Sequence, residues 1–156
     1  MSKKCLIAYY SWSGNTKSVA EKISNIVDCD LFEISTIKPY PKDYSTTVEV
    51  AKQEKLKDYL PPLSSKIDTE KYDIVFVGTP VWWYTMAPPL KSFLKASNLS
   101  GKIIMPFCTH GGGGASSTFK DIAEILPNTT VKEGFVCYGN SATEKELSEW
   151  IKSQNL

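Results

Sequence analysis

The chain has 156 residues, 42% of them hydrophobic and 22% charged, a balance that fits one globular domain over residues 1–156 and excludes a disordered chain. Its 18 basic residues, all lysine, meet 17 acidic ones. The resulting net charge of +1 supplies no field for nucleic acid or an anionic membrane, and without arginine no site can use a guanidinium fork on phosphate.

Cys5 to Tyr10 reads as a strand buried on both faces, followed by Val19, Ile23, Ile26 and Val27 at the spacing of an amphipathic helix. Leu31 to Ile34 is a shorter strand. Thr36 to Asp43, with Pro39 and Pro41, is a loop, and a more polar helix is expected from about Ser45 to Lys57. Ile74 to Gly78 is the third strand; Leu90, Phe93 and Leu94 mark the helix after it, with Pro88 and Pro89 suited to its first turn. Ile103 to Cys108 is the fourth strand, and Phe119, Ile122, Ala123 and Leu126 form the face of the next helix. Val131 to Tyr138 is the fifth strand. Leu147, Trp150 and Ile151 stripe a last helix, which Thr143 and Glu146 are placed to cap. Strands alternating with helices predict an α/β fold with a parallel sheet covered on both faces. In such sheets ligands sit at the carboxyl ends of the strands, where strand order reverses.

The apolar runs are too short to span a bilayer. Met1 to Lys4 leads directly into the first strand without the apolar stretch of a secretory leader, so a cytoplasmic location is expected. Cys5, Cys29, Cys108 and Cys137 show neither a C-x-x-C pair nor zinc spacing, and no disulfide framework or metal site is expected of them.

Three loops at strand ends carry the chemistry. Ser11, Trp12, Ser13, Gly14, Asn15 and Thr16 open the first helix with hydroxyls, an amide and a glycine. That suits either an anion held by neutral donors or simply a well-capped helix. After the third strand come Thr79, Pro80, Val81, Trp82, Trp83 and Tyr84, where consecutive aromatics diverge in direction. At least one should be exposed with a flat face, the alternative being a hydrophobic lid over its own loop. After the fourth strand, Thr109 and His110 lead into Gly111, Gly112, Gly113 and Gly114, a backbone that admits close approach of a ligand or serves as a flexible connector. His110, the single histidine, is either a proton donor near that ligand or a solvent-facing loop residue. A phosphate at one end and a flat ring at the other describe the ligand.

The stretch from Ile7 to Thr16, with Gly78 to Trp83 and Phe107 to Gly112, resembles the flavodoxin family, particularly short members whose second loop reads G-T-P-x-W-W. The resemblance implies a flavodoxin-like three-layer sandwich with a five-stranded parallel sheet of order 2-1-3-4-5. It implies FMN as cofactor, with residues 11 to 16 on its phosphate. Thr79 to Tyr84 would then flank the isoalloxazine, Trp82 or Trp83 stacking on it, and Thr109 to Gly112 would line its other side. The implied function is electron transfer between redox partner proteins, a reductase and an acceptor, by a monomer with no catalytic residue of its own. The alternative is an FMN-dependent NAD(P)H oxidoreductase acting on a small acceptor such as a quinone. A phospho-accepting receiver is excluded because no carboxylates end the first and third strands. A phosphatase that clamps phosphate with arginine is excluded by the lack of arginine, and a Walker-type NTPase by the lack of G-K-[ST].

Overall fold

A computed structural model describes residues 3–156; Met1 and Ser2, where the absence of a leader is read, lie outside the described residues. The elements, in chain order, are β1 (Cys5–Tyr9), α1 (Asn15–Ile26), β2 (Asp30–Glu33), α2 (Tyr44–Leu56), β3 (Ile74–Trp82), β4 (Thr85–Met86), α3 (Pro88–Ala96), β5 (Ile103–His110), α4 (Thr118–Ile125), β6 (Thr130–Val131), β7 (Phe135–Tyr138) and α5 (Glu144–Ser153). The strands lie in the order β2-β1-β3-β5, with β6 and β7 side by side with β5 in turn. All of these pairings are parallel; β4 pairs antiparallel with β3. Counting β6 and β7 as one interrupted strand recovers the expected order, and the flavodoxin-like α/β class holds.

Alternation along the central strands divides the core in two. Leu6, Ala8, Val75, Val77 and Ile104 face Leu90, Phe93 and Leu94 of α3 and Ile122 of α4. Ile7, Tyr9, Phe76, Met105 and Phe107 face Val19 and Ile23 of α1 and Leu147 and Trp150 of α5. Both faces of the sheet are thereby covered, which is why its strands read as continuous apolar runs. Local signals place several helix ends: Pro88 and Pro89 open α3, and Thr143 and Glu146 form the reciprocal capping box of α5.

Four expectations need correction. The third strand does not stop at Gly78 but runs to Trp82, since Thr79 and Pro80 continue the ladder with Cys108 and Thr109 and the chain then turns back into β4. The fifth strand is broken. Ile104 pairs with Val131 but Phe107 with Phe135, so the outer strand carries one extra residue opposite Pro106, which has no amide hydrogen to give. Ala123 is exposed rather than on the buried face of α4. Finally, Cys5 and Cys29 form a disulfide across a sequence separation of 24, closing the β1–α1 unit at the amino edge of the sheet. Cys108 and Cys137 are free and buried, and burial pushes the Cys108 thiol up to about 12.

Candidate functional site

β1, β3 and β5 all end at one edge of the sheet, so the loops singled out in the sequence meet there. A hydrogen bond between Thr16 Oγ1 and Thr109 Oγ1, 2.8 Å long and buried, clasps the first loop to the third. Gly14 stands at the N-cap of α1 with φ +98°, a conformation that favours glycine, and its amide donates to Ser11 Oγ at 3.2 Å. α1 has no side-chain cap and no acidic residue in its first turn. The amides of Asn15, Thr16 and Lys17 have no intrahelical carbonyl to reach and confer a partial positive charge. Ser13 is exposed and Asn15 half-buried beside them, while Lys17 lies 4.0 Å from Glu33 at the end of β2. The reading of this loop as a side-chain-capped helix is thus set aside by its geometry.

The third loop leaves β5 at His110, whose Nδ1 accepts the Gly112 amide at 3.0 Å and whose ring stands edge-on to Tyr138, 5.8 Å between centroids. A Cβ placed on Gly14, Gly111, Gly112, Gly113 or Gly114 would meet no other group within 4 Å. These backbones are therefore open, as close approach by a ligand requires.

The second loop is more structured than its sequence suggests. Thr79 is fully buried; its Oγ1 accepts the Ala87 amide and donates to the Pro80 carbonyl, bracing the hairpin from within. Pro80 and Val81 are half-buried in β3. Trp82 lies edge-on to Tyr10 (5.7 Å) and Tyr40 (5.1 Å) against the core. Trp83 turns to α2, where its Nε1 donates to the Val48 carbonyl at 2.8 Å and Lys52 lies over its ring. Trp12 is likewise engaged, donating through Nε1 to the Pro41 carbonyl at 3.0 Å and tilting against Tyr44. Tyr84, at the tip of the hairpin, is 67% exposed. Trp83 and Tyr84 both have positive φ, a cost of roughly 1–2 kcal/mol each for residues with side chains.

Residues outside the three loops complete the site. Ser117 and Asp121 of the α4 amino end grip the hairpin: the Ser117 amide donates to the Tyr84 carbonyl, the single Ser117 hydroxyl hydrogen lies within reach of both that carbonyl and Asp121, and Thr85 donates to Asp121. Tyr40, from the loop after β2, donates to Glu54 at 2.5 Å. Burial raises the Glu54 carboxyl above its ordinary range, an effect the Tyr40 hydrogen bond opposes. Burial also raises Tyr10 and Tyr40, and it carries Tyr9 up to about 12 with help from Glu33 and Glu21. Apart from Ser117 and Asp121, four residues apart at the start of α4, no spacing in the sequence marks these partners, because the other contacts join different elements.

Two hollows flank the site. One of about 490 Å³ is bounded by Tyr10 to Ser13, Glu33 to Thr36 and Pro39 to Lys42. The larger, about 910 Å³, opens between α2, α3 and α4 and reaches only the back of the hairpin at Trp82, Thr85 and Met86. Its walls mix lysines with carboxylates and include neither the α1 amino end nor the glycine loop, so the uncapped amides of α1 lie outside it.

The donor set suits FMN on this geometry: uncapped helix amides and neutral hydroxyls for a phosphate, open glycine backbone and aromatic surface for a tricyclic ring. Comparisons with known proteins agree. Residues 4–154 match a family model described as flavodoxin. A relative named NAD(P)H dehydrogenase (quinone), from Gluconacetobacter diazotrophicus, is 29% identical over an alignment of 141 residues that covers 84% of this chain and 70% of that protein. The fold is similar to the crystal structure of a candidate flavoprotein from Bacteroides eggerthii, with 28% identity, a TM-score of 0.88 and 99% of each chain covered. It is also similar to a flavoprotein in complex with FMN from Lactobacillus acidophilus, with 28% identity, a TM-score of 0.75 and coverage of 96% of this chain and 99% of that one.

Proposed function

The chain belongs to the flavodoxin family, and from that premise we propose that it binds one FMN at the carboxyl ends of β1, β3 and β5 and carries electrons between redox partner proteins. The observation that carries this reading is the clasp of Thr16 to Thr109, which sets the uncapped start of α1 beside the open glycine loop. Ser11, Ser13 and Asn15, with the first amides of α1, would hold the phosphate; Thr16 and Thr109 fix their spacing from below. The backbone from Trp82 to Tyr84 and from His110 to Gly112 would flank the ring and limit its contact with water. Bound there, FMN supplies a centre that takes up and releases electrons one or two at a time. No group in the three loops is acidic, and the protein's own contribution is binding, orientation and exclusion of solvent.

The L. acidophilus neighbour, seen with FMN, supports the cofactor. The quinone-named relative favours a second reading, in which the same residues would hold FMN and the overall reaction would be the two-electron reduction of a quinone by NAD(P)H. Among the described residues no helix is long and apolar enough to cross a membrane. Two arms of one experiment test these readings. FMN fluorescence should be quenched on titration with the protein at one equivalent, and a lack of quenching overturns flavin binding. Anaerobic NADH or NADPH alone should bleach the bound flavin slowly; bleaching within seconds replaces the carrier with the oxidoreductase.

A further inference from the structure

The β3–β4 hairpin reverses through Trp83 and Tyr84, at φ +51° and +72°, with Trp82 paired to Thr85 across the turn. Two-residue turns with both central residues left-handed are ordinarily built from Asn and Gly, because a side chain crowds the backbone there. Here two large aromatics occupy it, and three tethers keep them in place. The Trp83 indole N–H donates to Val48 of α2, the Lys55 ammonium donates to the Trp83 carbonyl, and the Ser117 amide and hydroxyl donate to the Tyr84 carbonyl at 3.0 and 2.8 Å. Backbone strain held by its surroundings in this way belongs to sites where side-chain position matters.

The tethers leave only one of the loop's three aromatics available. Trp82 is wedged between Tyr10 and Tyr40 and packed on the core, and Trp83 is turned to α2 beneath Lys52. Tyr84 stands two-thirds exposed at the tip, with Lys55 Nζ 5.4 Å from its ring centroid. We propose that Tyr84, rather than Trp82 or Trp83, is the aromatic that stacks on the FMN ring, and that Trp83 and Lys55 are positioning residues that fix the strained turn to α2. This inference rests on the FMN reading above. A stacked pair needs offset rings with one free face each, and of the loop's three aromatics Tyr84 alone is exposed while Trp82 and Trp83 are half-buried.

The test compares Tyr84→Gly and Tyr84→Phe with the wild-type protein, following FMN affinity, the visible flavin spectrum and the melting temperature of the flavin-free form. Glycine accepts the left-handed backbone, so Tyr84→Gly should melt higher without FMN, yet bind FMN about five- to tenfold more weakly and lose part of the spectral shift caused by stacking. Tyr84→Phe should bind within twofold of wild type. Tyr84→Gly binding as tightly as wild type, with an unchanged spectrum, overturns the assignment while leaving FMN binding intact. Failure of the wild-type protein itself to bind FMN overturns both.

Discussion

Gly78 sits in the middle of β3, and a Cβ built there would lie 2.2 Å from Cζ of Phe107, whose ring crosses the glycine from the neighbouring strand. Phe107 is fully buried and has nowhere to retreat. Gly78→Ala should therefore cost about 1–3 kcal/mol in denaturant unfolding, the range for overpacked cores. Combining it with Phe107→Leu should recover part of that loss if the ring is the cause. Glu54 behaves in the opposite sense. Its carboxyl is raised by burial, so the folded protein holds a proton that the unfolded chain has released, and stability falls as pH rises through and above the ordinary glutamate range near 4.3. Glu54→Gln keeps an acceptor for the Tyr40 hydroxyl and removes the half-buried charge. The variant should melt higher than wild type at neutral pH, with the gap closing below about pH 4; an equal gap at both pH values would show that the charge is not responsible.

Among the elements, the start of α1 is the proposed seat of the phosphate. Gly14 at φ +98° lets the chain enter the helix with its first amides exposed, and neither a side-chain cap nor an acid competes for them. Gly14→Ala strains that entry, at about 1 kcal/mol. It should weaken FMN at least tenfold while leaving riboflavin, which lacks the phosphate, within twofold; equal losses for both would place the phosphate elsewhere. This loop was legible in the sequence because glycine and hydroxyls at a strand end have a local physical meaning. So were the prolines of α3 and the capping box of α5, which need only neighbouring residues. The hairpin after β3 was not legible, since Trp83-Tyr84 lacks every feature of a two-residue turn and is held by Val48, Lys55 and Ser117, 28 to 35 residues away. The break between β6 and β7 was hidden for the same reason: its cause, Pro106, lies on another strand.

At the scale of the whole molecule, the sheet separates two ends. The amino edge holds the Cys5–Cys29 disulfide and the carboxyl edge the candidate flavin site, with β1 and α1 shared by both. No spacing rule announces this bridge; the parallel pairing of β1 with β2 brings the two cysteines to a Cα separation of 4.6 Å. Closing a loop of this length contributes on the order of 3 kcal/mol in the chain-entropy account. Thiol titration of the unfolded, unreduced protein should accordingly count two thiols, Cys108 and Cys137, and a reductant should lower the melting temperature; four thiols before reduction would show that the bridge is absent. The other edge is where FMN should sit, and mapping the backbone amide shifts of isotope-labelled protein by NMR on addition of FMN shows whether it does. Large shifts are expected at Ser13 to Lys17, at Tyr84 and at Gly111 to Gly114, with Cys29 and the α3 end near Ser97 unmoved. Shifts confined to the broad hollow between α2, α3 and α4, or no shifts at saturating FMN, would contradict that placement.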